Sequence, residues 1–331
     1  MYSDNMFGMN ISTSFWVWLL KVIWIPSVPL YILYRYLKYK KGRAMLIGKV
    51  VLITGASSGL GEALAHKFYM CGCRLILASR RRDELERVKN DLMKRMADIP
   101  TYAPVVLELD LSDFTTMEER MDTALSIFSH IDILINNGGI SYRGDIMSTN
   151  TDVDYKVMLV NYFGQVAITK ALLPSMTRRR SGHIVTVSSV QGKIAIPHRS
   201  AYAASKHALQ AFCDTLRAEV ASTGVKVTLI SPGYIHTRLS MNAITGSGHT
   251  YGVMDEATAT GYTPEYVAQR TLEAVIADEK DVVISSLGPR LAILLRCLLP
   301  RLYFYIMRRR AKKISHAAGG HHQPPGTRKN K

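Results

Sequence analysis

The chain has 331 residues, of which 47% are hydrophobic, so it can bury a large α/β domain and still carry further segments. Its formal net charge of +16 lies mostly at the two ends. Residues 1–43 carry six basic side chains and one acidic one, and residues 308–331 carry eight basic side chains and no acidic one. Because each basic end adjoins an apolar segment, this distribution favours an anionic membrane surface as partner and argues against a nucleic-acid-binding protein.

The cysteines exclude another class of protein. Cys71, Cys73, Cys213 and Cys297 show neither a paired framework nor the close spacing of a metal site. We therefore expect no metal centre and no disulfide-stabilised secreted fold, and we expect the thiols to be buried as small apolar groups.

The first element in chain order is an apolar segment, residues 15–34, with Lys21 as its one charged residue. Its length is sufficient to span a bilayer. Pro26 and Pro29 would kink such a helix, so a re-entrant helix or one in the membrane interface is the alternative. Basic residues follow between positions 35 and 43, and by the positive-inside rule they place the remaining chain in the cytosol.

A strand-like run at residues 49–53 leads into a glycine-rich turn and then a helical pattern. In this context Gly55 permits a tight turn, Gly59 lets the backbone approach a pyrophosphate, and Gly61 lets helix and strand pack closely. The free N–H groups of the helix start would bind the anionic oxygens. The alternative is a glycine turn without a ligand.

A second strand, residues 74–79, ends at three arginines that begin with Arg80. At this place an acidic side chain would bind a ribose 2′-hydroxyl, whereas an arginine would bind a 2′-phosphate. The sequence therefore favours NADP(H) over NAD(H), which stays an alternative. A solvated basic helix start would explain the same residues without a ligand.

Four more apolar strands alternate with helical segments, at residues 105–110, 131–135, 183–187 and 225–230. This alternation predicts an α/β fold of one domain, a doubly wound parallel sheet of Rossmann type covered on both faces. Asn161 lies in one apolar helical segment, where it would either satisfy neighbouring backbone or hold a water molecule.

The residues that carry chemistry follow the fifth strand. Tyr202 and Lys206 are four residues apart and share one helix face, so the ammonium would favour ionisation of the phenol. Such a tyrosine can exchange a proton with an alcohol, and Ser189 could bind the same substrate oxygen. A surface helix with a chance Tyr-x-x-x-Lys spacing is the alternative.

The C-terminal part contains three further segments. Residues 233–261 form a long loop after the sixth strand, which we interpret as a lid over an apolar substrate. Residues 287–307 are apolar but interrupted by proline and arginine, which favours a helix pair in the membrane interface. The predicted organisation is an anchor at 1–43, a catalytic domain at 44–285, a membrane-associated segment at 286–314 and a disordered basic tail at 315–331.

Together these motifs resemble the short-chain dehydrogenase/reductase family over about residues 45–280. The matching positions are Gly55, Gly59, Gly61, Asp110, Asn136 to Gly139, Asn161, Ser189, Tyr202, Lys206, Pro232, Gly233 and Thr237. The resemblance implies an oxidoreductase acting on CH–OH groups. One departure is Gly138, where the family usually has alanine.

The resemblance also implies roles for individual residues. Tyr202 is the general acid/base, Lys206 lowers the pKa of Tyr202 and binds the nicotinamide ribose, Ser189 positions the substrate oxygen, and Asn161 completes a proton relay through water. The implied cofactor-binding positions are Ser58 and Leu60 in the glycine turn, Asp110 on the adenine side, Asn137 after the fourth strand, and Ile235 and Thr237 near the carboxamide and phosphate.

We therefore expect a membrane-anchored enzyme that transfers hydride between NADP(H) and a lipophilic carbonyl or alcohol, such as a steroid, a retinoid or an acyl-lipid ketone. A cofactor-binding membrane scaffold with little turnover is the alternative. Because residues 328–331 resemble a dibasic retrieval signal, we expect a single-pass protein of the endoplasmic reticulum membrane, with the peroxisomal membrane as alternative. The oligomeric state, monomer or homodimer, stays open.

Overall fold

The structure is a computed structural model that describes residues 8–95, 98 and 101–319. The chain divides after Met45 into two units. In the described residues, the first unit contains one helix, α1 (Gly8–Ala44), which includes the apolar segment 15–34 and continues through Pro26 and Pro29. At about 1.5 Å per residue, a helix of 37 residues exceeds the roughly 30 Å of a bilayer core.

The second unit is built on a seven-stranded parallel sheet. The strands of the chain are β1 (Val50–Thr54), β2 (Arg74–Ser79), β3 (Val105–Glu108), β4 (Ile133–Asn136), β5 (Tyr142–Arg143), β6 (Gly182–Val187), β7 (Val225–Pro232), β8 (Ile244–Thr245) and β9 (Asp281–Ile284). The sheet order is β3-β2-β1-β4-β6-β7-β9, while β5 and β8 pair separately. The order reverses direction between β1 and β4, and ligands of such sheets bind outside the carboxyl ends at this point.

Helices cover both faces of the sheet, and the side chains between them form two apolar cores. The helices are α2 (Gly59–Tyr69), α3 (Arg82–Arg95), α4 (Met117–Phe128), α5 (Thr151–Met158), a π-helical turn (Leu159–Phe163), α6 (Gly164–Arg178), a 3₁₀ turn (Val190–Gly192), α7 (Ser200–Glu219), α8 (Glu256–Ala259), α9 (Pro264–Ala277), α10 (Leu287–Leu298) and α11 (Pro300–Gly319). One core joins α2, α3 and α9, and the other joins α4, α6 and α7. The predicted doubly wound fold is confirmed.

The structure adds strands to the six that the sequence predicts. The seventh, β9, has only four residues and alternates between exposed and buried positions, so its apolar pattern is short. The segment at 233–261 is also more ordered than a long loop, because β8 pairs in parallel with β5 and α8 follows. Its backbone is bonded back to the domain, with Ile244 donating to the Ser141 carbonyl at 2.9 Å.

By length and apolarity, one helical run in the described part of the chain could cross a membrane, Thr151–Arg178. Half of its apolar window is buried inside the domain, as expected for a core helix. This run differs from the predicted anchor at 15–34, several side chains of which lie outside the described residues.

The C-terminal segment is helical over a longer range than predicted. The helix pair expected at 287–307 is present as α10 and α11, and α11 continues to Gly319. The tail expected to be disordered from residue 315 is thus helical in its first residues, because no glycine or proline interrupts α11 before Gly319. Residues 320–331 lie outside the described residues.

Of the four cysteines, all described, three are buried as predicted, whereas Cys297 on α10 is exposed.

Candidate active site

The glycine turn joins β1 to α2 at the carboxyl edge of the sheet. Gly55 and Gly59 have φ angles of +66° and +58°, which L side chains rarely adopt. A Cβ at Gly61 would lie 2.1 Å from the Gly55 carbonyl oxygen, so the helix can approach the turn only because Gly61 has no side chain. The predicted roles of Gly55 and Gly61 therefore have a direct structural basis.

The start of α2 is open to an anion. Ser58 is the residue before the helix, and its side chain makes no capping bond to the first turn that the structure describes. Its hydroxyl instead accepts a hydrogen bond from Arg81 Nη2 at 2.8 Å, and Ser57 accepts from the same nitrogen at 2.9 Å. Arg81, one residue after the predicted Arg80, thus reaches the glycine turn, and Arg87 Nη2 also donates to the Ser57 carbonyl at 3.4 Å. Arg80 and Arg81 are both exposed.

Two other predicted cofactor residues, Asn137 and Thr237, border the same turn. Asn137 donates from Nδ2 to the Thr54 carbonyl at 3.0 Å, which links the end of β4 to the turn. Thr237 lies against Gly59, where an added Cβ would be 3.2 Å from its methyl group. Asp110 caps its own turn by accepting from the backbone N–H and hydroxyl of Ser112.

Two predicted cofactor residues are partly committed to packing. The side chain of Leu60 is buried in the core between α2 and the sheet, so only its backbone can serve the turn. Ile235 is half-buried against the same core and forms a β-bridge with Tyr262.

Gly138, the departure from the family pattern, lies under Leu111, and a Cβ there would come 2.6 Å from Leu111 Cδ1. Because that atom is the end of a flexible side chain, a shift of Leu111 would make room for the alanine of the family pattern.

Ser189, Tyr202 and Lys206 converge beyond the carboxyl end of β6. Ser189 precedes the 3₁₀ turn, and its hydroxyl accepts from the backbone N–H of Gln191 at 3.1 Å. Tyr202 and Lys206 share one face of α7, with Lys206 Nζ 5.8 Å from the centre of the Tyr202 ring. The ammonium donates to the Val187 carbonyl at 3.0 Å, so the end of β6 and α7 are joined at the site.

Burial controls the ionisation of both side chains. It raises the pKa of the Tyr202 phenol, and a hydrogen bond with Ser189 acts in the opposite direction. Burial also lowers the pKa of Lys206 from 10.5 to about 8. The direction at Tyr202 is opposite to the lowering predicted from its spacing to Lys206, because desolvation of the phenolate outweighs the hydrogen bond with Ser189 and the positive charges of Arg143 and Arg199.

Asn161 is fully buried in the π-helical turn between α5 and α6. Its Oδ1 accepts from the Ile140 backbone N–H at 2.8 Å, and its Nδ2 donates to the Ile140 carbonyl and to the Ser205 hydroxyl. The side chain therefore satisfies neighbouring backbone, the first of the two predicted alternatives. Asn161 Oδ1 and Lys206 Nζ lie 3.0 and 3.8 Å from the position of a Cβ at Gly139, so the two residues approach the same point.

Sequence reasoning missed a cluster of charges beside Tyr202. Arg143 donates from Nε to Asp255 Oδ2 at 2.8 Å, and Arg199 donates from Nη2 to the same oxygen at 3.2 Å. Both arginines are among the groups whose positive charge lowers the pKa of Tyr202. Because two cations share one carboxylate, the cluster leaves a net positive charge near the phenol. Its members are up to 112 residues apart, so no local motif could have shown it.

The phenol of Tyr202 lies in a small apolar cluster of its own, separate from the two cores. This cluster consists of Tyr142, Val153, Val157, Ala201 and Tyr202, with Ile140 and Ile244 packed against it. Ile244 belongs to β8 in the segment predicted as a lid. The apolar surroundings account for the low exposure of the phenol, 8%.

Among the described residues, one group of side chains has the spacing of metal ligands, namely Glu62, His66 and Asp91. Its carboxylates are already paired, Glu62 with Arg87 and Asp91 with Arg95. Because these carboxylates already have cationic partners, we assign no ligand to the group.

Comparisons with known proteins agree with this geometry. A family model described as short chain dehydrogenase matches residues 49–247. A protein of Anopheles gambiae described as dehydrogenase/reductase SDR family protein 7-like is 55% identical over 314 residues, which cover 94% of this chain and 99% of that protein. Dehydrogenase/reductase SDR family member 7B of Bos taurus is 51% identical over 290 residues, with 87% and 89% covered.

A solved structure agrees as well. The short chain dehydrogenase/reductase of Burkholderia phymatum in complex with NAD is 25% identical and superimposes with a TM-score of 0.68, covering 78% of this chain and 95% of that one. The sheet, the glycine turn and the Ser-Tyr-Lys set define an oxidoreductase of Rossmann type. The chain belongs to the short-chain dehydrogenase/reductase family.

Proposed function

We propose that the protein is a membrane-anchored, NADP(H)-dependent enzyme that interconverts a lipophilic carbonyl compound and its alcohol. The observation that carries this proposal is the convergence of Ser189, Tyr202 and Lys206 beside a glycine turn whose shape leaves no room for side chains. A chance pair on a surface helix would be exposed, whereas Tyr202 and Lys206 are both buried.

The residues of the glycine turn fit a dinucleotide. The positive φ angles of Gly55 and Gly59 and the uncapped start of α2 make a cradle that added Cβ atoms would fill. When bound, NADP(H) supplies or accepts the hydride. The Burkholderia relative is described as a complex with NAD, which supports a dinucleotide at this place in the fold.

The choice of NADP(H) over NAD(H) rests on Arg81. Its guanidinium is held over the glycine turn by two serine hydroxyls, and it follows the end of β2, where a ribose 2′-phosphate is recognised. An arginine offers several donors and a permanent charge to such a phosphate. Exposed Arg80 would add charge of the same sign.

Tyr202 and Ser189 would handle the oxygen of the substrate. Ser189 donates a hydrogen bond to it and so holds it beside the phenol. Because burial raises the pKa of Tyr202, the phenol is protonated at neutral pH and can give its proton to the oxygen as the carbonyl is reduced. In the reverse direction the phenolate takes the proton of the alcohol.

Lys206 and Asn161 would support that proton transfer. The pKa of the buried Lys206 is about 8, so at lower pH its ammonium group is charged and stabilises negative charge on the phenol. Both N–H groups of the Asn161 side chain are engaged by Ile140 and Ser205. A water of the relay would therefore bind the backbone of the π-helical turn, a kind of irregularity found often at functional sites.

The lipophilic class of substrate is supported by the apolar cluster around Tyr202, to which the lid segment contributes Ile244. Membrane anchoring is supported by the apolar residues 15–34 within α1 and by the basic residues that follow them. Steroids, retinoids and acyl-lipid ketones share this chemistry, and we place the enzyme in the endoplasmic reticulum membrane.

The test is a measurement of cofactor consumption by the purified full chain with a panel of lipophilic ketones, with NADPH and NADH in parallel. We expect substrate-dependent oxidation of NADPH that is faster than that of NADH. Binding of NADPH without turnover on any ketone or alcohol would support the alternative, a cofactor-binding membrane scaffold. Faster oxidation of NADH would contradict the role given to Arg81.

A further inference from the structure

Helix α10 presents a continuous apolar stripe to solvent. Leu287, Leu291, Leu294 and Leu298 are spaced by four, three and four residues, so they share one face. Their exposed fractions are 70%, 53%, 56% and 74%. Within α10, which the structure describes in full, no residue is buried. Such a helix is not a core element of the domain, and its apolar face needs a partner.

Helix α11 continues this surface. Leu302, Phe304, Tyr305 and Ile306 are exposed by 42% to 55% of their surface, and Leu299 between the two helices is also exposed. Arg296 of α10 lies over the Phe304 ring, 5.0 Å from its centre, so the two helices form one surface. We call the exposed apolar residues of α10 and α11 the C-terminal apolar surface.

The charge on this surface has one sign. No acidic residue occurs between positions 286 and 319. The basic residues of the same stretch are Arg290, Arg296, Arg301, Arg308, Arg309, Arg310, Lys312 and Lys313. Apolar residues followed by a basic cluster match a bilayer of anionic phospholipids, which offers hydrocarbon beside negative head groups. A second copy of the chain would instead bring like charges together.

The surface is fixed to the segments that frame the active site. Tyr303 of α11 is 2% exposed, and its hydroxyl donates to the Ala195 carbonyl, which lies between Ser189 and Tyr202 in the chain. Arg310 Nη2 donates to the Tyr234 hydroxyl at 3.4 Å. Tyr234 lies in the segment after β7, which the sequence predicts as the start of the lid. Helix α11 therefore contacts two segments that adjoin the site in the chain, the one between Ser189 and Tyr202 and the one after β7.

We propose that the C-terminal apolar surface docks on an anionic phospholipid bilayer and holds the substrate entrance against the lipid. The docking itself depends only on the exposed stripe and its charge. The consequence, that the carbonyl substrate enters from the membrane and not from water, rests on the proposed function. Docking at this position would let a lipid reach Tyr202 without crossing the aqueous phase.

A natural cysteine of the wild-type chain can be labelled to test the docking. Cys297 lies on α10 beside Leu298, and it is exposed, whereas the other three cysteines are buried. The full chain, labelled at Cys297 with an environment-sensitive thiol-reactive fluorophore, is reconstituted in vesicles of phosphatidylcholine with about one third phosphatidylserine. Quenchers attached to the acyl chains and quenchers dissolved in water are then compared, without substrate or cofactor.

We expect the acyl-chain quencher to quench the Cys297 label and the aqueous quencher to be ineffective. The Leu291→Asp/Leu298→Asp variant should restore access of the aqueous quencher, because burial of two leucines contributes about 100-fold to docking. The control is Ile146→Asp/Met147→Asp, a pair that is 77% and 98% exposed outside this surface. It should leave the quenching unchanged.

Three results would overturn the docking proposal: a label open to the aqueous quencher in vesicles, equal protection in vesicles of phosphatidylcholine alone and of the anionic mixture, or protection that requires a high protein concentration in detergent. The last would identify a second copy as the occupant. Failure of the proposed function is separate, since the quenching requires no turnover. For entry from the lipid, the Leu291→Asp/Leu298→Asp variant should lose at least about tenfold in rate on vesicle-borne ketone and keep its rate on a water-soluble one.

Discussion

Arg81 Nη2 lies 2.8 Å from the hydroxyl oxygen of Ser58, the residue that precedes helix α2. This contact joins the end of β2 to the glycine turn and places a permanent positive charge beside the open helix start. Arg80, which the sequence favours as the phosphate ligand, precedes it in the chain and is exposed like Arg81. The two arginines make a matched pair for testing how this chain selects its cofactor.

We expect Arg81→Ala to weaken NADPH binding by about 10-fold to 100-fold, because a charge-assisted hydrogen bond contributes about 1.5–3 kcal/mol. NADH binding should change little, since that cofactor carries no 2′-phosphate. Equilibrium titration of protein fluorescence with each cofactor measures both constants. Arg80→Ala is the control, and a larger loss in that variant than in Arg81→Ala would return the role to Arg80.

The buried ammonium of Lys206 predicts a pH dependence. Its pKa is lowered by burial to about 8, so the side chain is charged below that pH and neutral above it. We expect kcat for carbonyl reduction to be constant near neutral pH and to fall as the pH rises through about 8. Lys206→Arg keeps its charge, so any remaining activity should lose this fall. A wild-type profile that stays level well above pH 8 would contradict the assignment.

Asp255 holds two arginines, and all three side chains are largely buried, with 17%, 8% and 14% exposed for Asp255, Arg143 and Arg199. Asp255→Asn would leave two like charges together, so we expect the free energy of unfolding to fall by about 2–4 kcal/mol. Urea denaturation measures this change. The neighbouring, exposed Glu256 is the control, and Glu256→Gln should be within about 0.5 kcal/mol of wild type. Equal stability of both variants would contradict a stabilising role for Asp255 between the two arginines.

His183 predicts a pH dependence of stability. Its Nε2 lies 2.9 Å from the Thr228 hydroxyl, which donates to the Glu279 carbonyl, and burial lowers the pKa of His183 to about 4. Between about pH 6.5 and pH 4 the unfolded state binds the additional proton, so stability falls as the pH decreases, by up to about 3 kcal/mol. Urea titrations at about pH 6.5 and about pH 4 measure this fall in the free energy of unfolding, which should be smaller in His183→Gln than in wild type. An identical fall in both proteins would exclude His183 as its source.

Much of the fold could be predicted because a parallel sheet buried on both faces requires continuous apolar strands. Six such runs and the glycine turn are visible in the sequence, and so is the pairing of Tyr202 with Lys206 on one face of a helix. Strand β9 was missed since it has four residues, of which only Val282 and Ile284 are buried. The pairing of β5 with β8 was missed because strands of two residues have no periodicity.

Long-range features of the site could not be read from local patterns. The contact of Arg143 with Asp255 depends on how the segment at 233–261 folds back, and the placement of Arg81 at the glycine turn depends on where helix α3 begins. The same holds for the pKa of Tyr202. Spacing shows that a lysine is near, but only the packing of Tyr142 and Ile244 around the phenol shows that burial is the larger effect.

The measurement that tests the central claim most directly compares wild type with Tyr202→Phe, which lacks only the phenolic oxygen. We expect substrate-dependent NADPH oxidation to fall by about 100-fold to 10,000-fold, because the proton donor is absent. NADPH binding and the free energy of unfolding should stay close to wild type, since the glycine turn and the apolar cluster keep their contacts. Turnover at the wild-type rate in Tyr202→Phe would contradict the account.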